Sequence, residues 1–122
     1  MAVIMDFSRV DRLQSQMIKE ISDIVANELK DSPPAMITFT RAEVTRDLKF
    51  AKVFFSYYDK DDKLEQCEEY FRRHAGIIRH MIGRRMRIRT LPEFSFHYDS
   101  STQNVMRINE ILEQLKKDEN KP

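Results

Sequence analysis

Between residues 8 and 30, apolar side chains recur at three- and four-residue steps. Val10, Leu13, Met17, Ile21, Ile24, Val25 and Leu29 fall on one side of a helix. Ser8 with Asp11 reads as a capping box opening it. Asp31-Ser32-Pro33-Pro34 closes it, because neither proline can continue a helical hydrogen-bond ladder. The pattern then alternates. Residues 35–45 and 48–58 predict two strands joined by a tight turn near Arg46-Asp47. In the second strand Ala51, Val53, Phe55 and Tyr57 share one face, and Lys52, Phe54 and Ser56 share the other. Ile37 and Phe39 are the clearest core candidates of the first strand, whose alternation fails around Arg41 to Glu43.

A helical period returns from about Asp62 to Ile82. Leu64, Phe71, Ala75, Ile78 and Ile82 form its apolar stripe, and Gly83 is expected as its C-terminal cap. A third strand is predicted from Met86 to Tyr98, interrupted by Pro92, which belongs at an edge or a bulge. Asp99-Ser100-Ser101-Thr102 then caps a last helix carrying Val105, Ile108, Ile111, Leu112 and Leu115. This order is α, β, β, α, β, α, with one domain over residues 1–115 and a short polar tail over 116–122. With 122 residues, 41% hydrophobic and 34% charged, the chain suffices for one core. The five-residue apolar run at its start is too short for a signal peptide core, and no stretch approaches a membrane span. A cytoplasmic protein is expected.

Charge changes the picture at one place. The chain carries a net charge of only +1, yet FRRHAGIIRHMIGRRMRIR (71–89) holds Arg72, Arg73, Arg79, Arg84, Arg85, Arg87 and Arg89 and no acid. On an ideal helix of 3.6 residues per turn, Arg72, Arg73, Arg79 and His80 form an arc with Gly76 at its middle. Glycine inside a helix costs about 1 kcal/mol relative to alanine, so Gly76 calls for a reason. A kink and the close approach of an anionic backbone are the two available. Beyond Gly83 the pattern alternates, which predicts Arg85, Arg87 and Arg89 on one side of a strand, extending the positive surface. The competing structural reading fits Arg72 and Arg73, which have Glu68 and Glu69 four residues earlier. It fits the other five arginines poorly, because no acid lies near them in sequence.

Other chemistry is sparse. Cys67 reads as a small core residue, and with one cysteine there is no internal disulfide. His74, His80 and His97 show no metal-ligand spacing. Asp59-Lys60-Asp61-Asp62 opposes a helix dipole and lacks the pattern of a calcium loop. Phe54, on the open side of its strand, is either a base-stacking platform or a half-exposed packing residue. No phosphate loop, dinucleotide fingerprint, nucleophile elbow or HExxH pair is present, so no residue is left to carry catalysis.

The segments RDLKFAKV (46–53), GIIR (76–79) and RIRTLPEFSFHYD (87–99), in that order and spacing, resemble the bacterial ribosome-binding factor A family. The likeness extends from SRVDRLQSQMIKEISDIV to MRINEIL. It implies a single α+β domain of type II KH-like fold, with a three-stranded sheet, helices packed on one face and a kinked second helix. It further implies a non-enzymatic factor that binds the free small (30S) ribosomal subunit and 16S rRNA during late maturation and rRNA processing, including in the cold. In that family an Ala-x-Gly signature replaces the usual GxxG loop. Here His74-Ala75-Gly76 occupies it, with His74 at the alanine position and a packing or backbone hydrogen-bonding role expected for its ring. The expected RNA-binding residues are Arg73, Ala75, Gly76, Arg79, His80, Arg84, Arg85, Arg87 and Arg89. No metal, cofactor or membrane is expected, and the protein is expected to be monomeric. Ribosomal proteins or an assembly GTPase are further partners. The alternative is a protein-interaction module whose basic face meets an acidic protein.

Overall fold

The computed structural model describes residues 2–101, with side chains placed from residue 9 onward. Helix α1 spans Ala2–Asn27, β1 Met36–Val44, β2 Phe50–Tyr58, α2 Leu64–Arg85 and β3 Glu93–Tyr98. The sheet order is β1-β2-β3, with β1 antiparallel and β3 parallel to the central β2. The parallel pairing follows from α2, which carries the chain back to the start of β2. Met17, Ile21 and Ile24 of α1 and Cys67, Phe71, Ile78 and Ile82 of α2 all bury their side chains. They meet Ala51, Val53 and Phe55, so both helices cover one face of the sheet. Phe71 is the aromatic hub, with the rings of Phe96, Phe55, Tyr70 and Phe39 at 4.8, 4.9, 5.3 and 5.6 Å.

Four features depart from or refine the sequence expectations, each for a physical reason. α1 begins at Ala2, because nothing in residues 2–7 breaks a helix, so Ser8 and Asp11 lie inside it rather than at its start. The failed alternation in β1 is a bulge. Phe39 pairs with Phe55 but Arg41 with Phe54, and Thr40 is the extra residue, so Phe39 and Ala42 are both buried. α2 continues past Gly83 to Arg85, and Met86 is its extended C-cap. Gly83 has no positive φ; a Cβ built on it would lie 2.9 Å from Leu91 Cδ2, so close packing is what the glycine serves. β3 starts at Glu93 rather than Met86. Pro92 has no N–H to donate, and the Leu91 and Pro92 carbonyls already accept from Arg79, so residues 86–92 cross from helix to strand without a ladder.

Asp62 opens α2 by accepting from the Leu64 N–H at 3.1 Å and the Tyr57 hydroxyl at 3.0 Å. At the same end of the sheet, just past β3, Asp99 is buried and accepts from the Ser101 N–H at 3.1 Å and from Thr40 Oγ1 at 2.7 Å. Its first contact is that of an N-cap, and Ser100 and Ser101 are helical. The remainder of the expected last helix and the tail over 116–122 lie outside the described residues.

Candidate nucleic-acid interface

α2 points Cys67, Tyr70, Phe71, Ile78 and Ile82 into the core. The opposite side is therefore set by helical spacing alone. Arg73, Gly76, Ile77, His80 and Arg84 are all exposed and share it. Arg87 and Arg89 are exposed on the segment immediately beyond. The side chains of His80, Arg84, Arg87 and Arg89 make no hydrogen bond or ion pair with another described residue. Arg73 has only Glu69, 4.0 Å from its Nε. The result is a cationic ridge along the outer side of α2.

Gly76 lies within this ridge, and the helical ladder runs unbroken through it, so the glycine does not divide the helix in two. A Cβ built on it would meet nothing within 4 Å, and its φ is not positive. Neither internal packing nor backbone conformation requires glycine there.

Two predicted site residues are held elsewhere. Arg85 Nη1 donates to Glu20 at 3.0 Å and Asp23 at 2.6 Å, and Nη2 to Glu28 at 3.2 Å. This guanidinium ties the end of α2 to α1. The hydrogen bonds that Arg85 donates to Asp23 and Glu20 raise its pKa, and Arg85 lowers that of Asp23. Arg79 donates from Nε to the Pro92 carbonyl and from Nη2 to the Leu91 carbonyl, both at 2.9 Å. It is half-buried and anchors the path of residues 86–92. Ala75 is half-buried too, in a cleft with Phe71, Phe94 and Phe96 on the sheet side of the helix.

The other candidates resolve simply. Arg72 pairs with Glu69 three residues earlier rather than with Glu68. His74 is stacked on Tyr70 at 4.0 Å, and its Nδ1 donates to the Tyr70 carbonyl at 2.7 Å, which is a packing role. Burial pushes the Cys67 thiol up to about 11, out of the range of a nucleophile. Phe54 is already covered, by the Arg41 guanidinium 3.8 Å above its centroid and by His97 at 5.7 Å, so its stacking surface is filled from within. Among the described residues no group of three or more His, Cys, Asp or Glu is placed to hold a metal ion. Ile77 was not anticipated; it is 47% exposed among the cations. Its sequence signal was its position off the apolar stripe, one turn from Arg73.

A three-stranded sheet with both described helices on one face defines an α+β domain, and its second helix carries the cationic ridge. The model of the family "Ribosome-binding factor A" matches residues 9–112, and the chain belongs to that family. Ribosome-binding factor A of Caldanaerobacter subterraneus subsp. tengcongensis is 41% identical over 112 residues, covering 91% of this chain and 92% of that one. The crystal structure of ribosome-binding factor A from Thermus thermophilus superposes with a TM-score of 0.64 at 18% identity, over 73% of this chain and 93% of that one. A homology model of the Thermus thermophilus factor, fitted into a cryo-EM map of its complex with the 30S subunit, gives a TM-score of 0.58 at 18% identity, over 71% and 92%.

Proposed function

We propose that this chain is a non-enzymatic assembly factor that binds the small (30S) ribosomal subunit and contacts 16S rRNA during late maturation and rRNA processing, including growth in the cold. Membership of the ribosome-binding factor A family supports this, as does the 30S complex of the Thermus thermophilus factor. The protein works in the cytoplasm as a monomer. No helix among the described residues is long and apolar enough to cross a membrane.

The observation that carries the reading is Gly76, which is exposed, unstrained and unpacked, yet flanked on its own side of α2 by Arg73, His80 and Arg84. A phosphate backbone lying there gains cations on both sides and approaches the main chain where a Cβ would hold it off. Arg87 and Arg89 extend the contact. Arg79 and Arg85 position it, one by holding the segment that carries Arg87 and Arg89, the other by fixing the helix end against α1.

The test is a salt titration of binding to deproteinised 16S rRNA. With Arg73, Arg84, Arg87 and Arg89 each neutralising a phosphate, log affinity against log salt has a slope of about −2.8 for single-stranded RNA. Each Arg→Gln substitution at these positions lowers the slope by about 0.7. An affinity independent of salt contradicts the proposal. Binding only to assembled subunits, with naked rRNA ignored, favours an acidic protein partner instead.

A further inference from the structure

Ile77 is out of place on this ridge. Among the described residues four large apolar side chains are exposed; Met36, Phe50 and Tyr58 lie on the sheet strands, and Ile77 alone lies on α2. It sits beside the open Gly76, one turn after Arg73 and three residues before His80. By the rise of a helix, about 1.5 Å per residue, it lies about 6 Å from Arg73 and about 10 Å from Arg84 along the axis. A surface meant only for phosphates has no use for a β-branched hydrocarbon at its centre. Isoleucine is also a poorer helix former than the lysine, arginine or glutamine that would serve an electrostatic role.

We infer that Ile77 is a direct contact residue that packs against the unshielded face of a base or ribose, while the flanking cations hold the phosphates on either side. The favoured ligand is accordingly RNA with nucleobases accessible between its phosphates, rather than a bare polyanion. The missing Cβ at Gly76 provides the clearance that lets the ligand come down onto Ile77. This rests on the RNA-binding reading above and assigns a salt-independent part of the affinity to one side chain. An acidic protein with an apolar residue is the other surface of similar chemistry. The run of free cations along and beyond Ile77 favours the regular charge of a nucleic acid.

The experiment uses the full chain with Ile77→Gln and Ile77→Leu, and two probes: an unstructured RNA oligonucleotide and inorganic polyphosphate, which has the charge but no bases. Ile77→Gln is expected to weaken RNA binding about three- to tenfold, the loss corresponding to half an isoleucine's burial. The salt slope stays as in the parent, polyphosphate binding is unchanged, and Ile77→Leu retains RNA affinity. Equal loss on both probes, or no loss on RNA, overturns the inference. So does a loss seen on assembled subunits but not on deproteinised rRNA, which points to protein contact. Arg84→Gln is the control for the underlying reading. If it changes neither affinity nor slope, that reading fails and the inference with it; if it lowers both while Ile77→Gln does nothing, only the inference fails.

Discussion

The same substitution at the two glycines of α2 should have opposite consequences. At Gly76 the backbone is helical, φ is not positive, and an added Cβ enters open space. Gly76→Ala therefore gains the helix propensity difference of about 0.8–1 kcal/mol with nothing to offset it. For a domain of this size that corresponds to a rise of about 3–6 °C in melting temperature. At Gly83 the Cβ lands 2.9 Å from Leu91 Cδ2. Leu91 cannot retreat freely, because Arg79 holds its carbonyl. Its Cδ2 must swing aside, at about 0.5–1.5 kcal/mol, which offsets half or more of the propensity gain. The two variants should then differ by about 0.5–1.5 kcal/mol in urea unfolding, with Gly76→Ala the more stable. Binding reverses the order of merit, since Gly76→Ala is expected to be a stabler protein and a poorer RNA binder with its charges intact. A Gly76→Ala variant that is destabilised, or that binds as the parent does, refutes the reasoning; so does a Gly83→Ala variant stabilised as much as Gly76→Ala.

Phe71→Ala removes the ring that four other aromatics surround, at a site 1% exposed, and should cost about 3–5 kcal/mol in chemical denaturation. A loss below about 1 kcal/mol would show that the cluster is not the core. Leu48 holds a φ of 60° in the β1–β2 turn, a conformation that costs a non-glycine residue about 1–2 kcal/mol. Leu48→Gly should raise stability by about 0.5–1 kcal/mol in the same assay, and a fall would contradict this. Asp99 has its pKa lowered by the Ser101 and Thr40 hydroxyls, and Asp62 by the Leu64 N–H and the Tyr57 hydroxyl. Both are depressed relative to the unfolded chain, so their contribution is full above the ordinary aspartate value of about 4 and is lost as pH falls through the folded values. Melting temperature should decline on acidification below about pH 4, and the decline should be shallower in Thr40→Val. A decline as steep in that variant removes Thr40 from the account.

Much of this was readable in the sequence, where local pattern carries the information. The apolar steps of α1 and α2, the alternation of β2 and the prolines after α1 each act within a few residues, and the elements they predict are present, with helix ends that differ by a few residues. The failed alternation at Arg41 was also a true signal, since a bulge has no other trace in sequence. What pattern could not reach were contacts between distant segments. Arg85 looked unpaired because no acid stands near it, but its partners Glu20 and Asp23 lie on α1 and Glu28 just beyond its end, 57 to 65 residues earlier. Arg79 looked free because backbone carbonyls have no sequence signature. Gly83 resembled a helix cap because the Leu91 side chain that crowds it arrives only through the fold. The ridge survived these losses because helical spacing alone places Arg73, Gly76, His80 and Arg84 on one side.

Ultraviolet cross-linking of the full chain to 16S rRNA within the 30S subunit, with the attached peptides identified by mass spectrometry, asks most directly which surface meets the RNA. Cross-links confined to residues 73–89, centred on Gly76, Ile77 and His80, are the predicted result. Cross-links concentrated on the sheet face around Lys52, Phe54 and Tyr58, with residues 73–89 untouched, would contradict it.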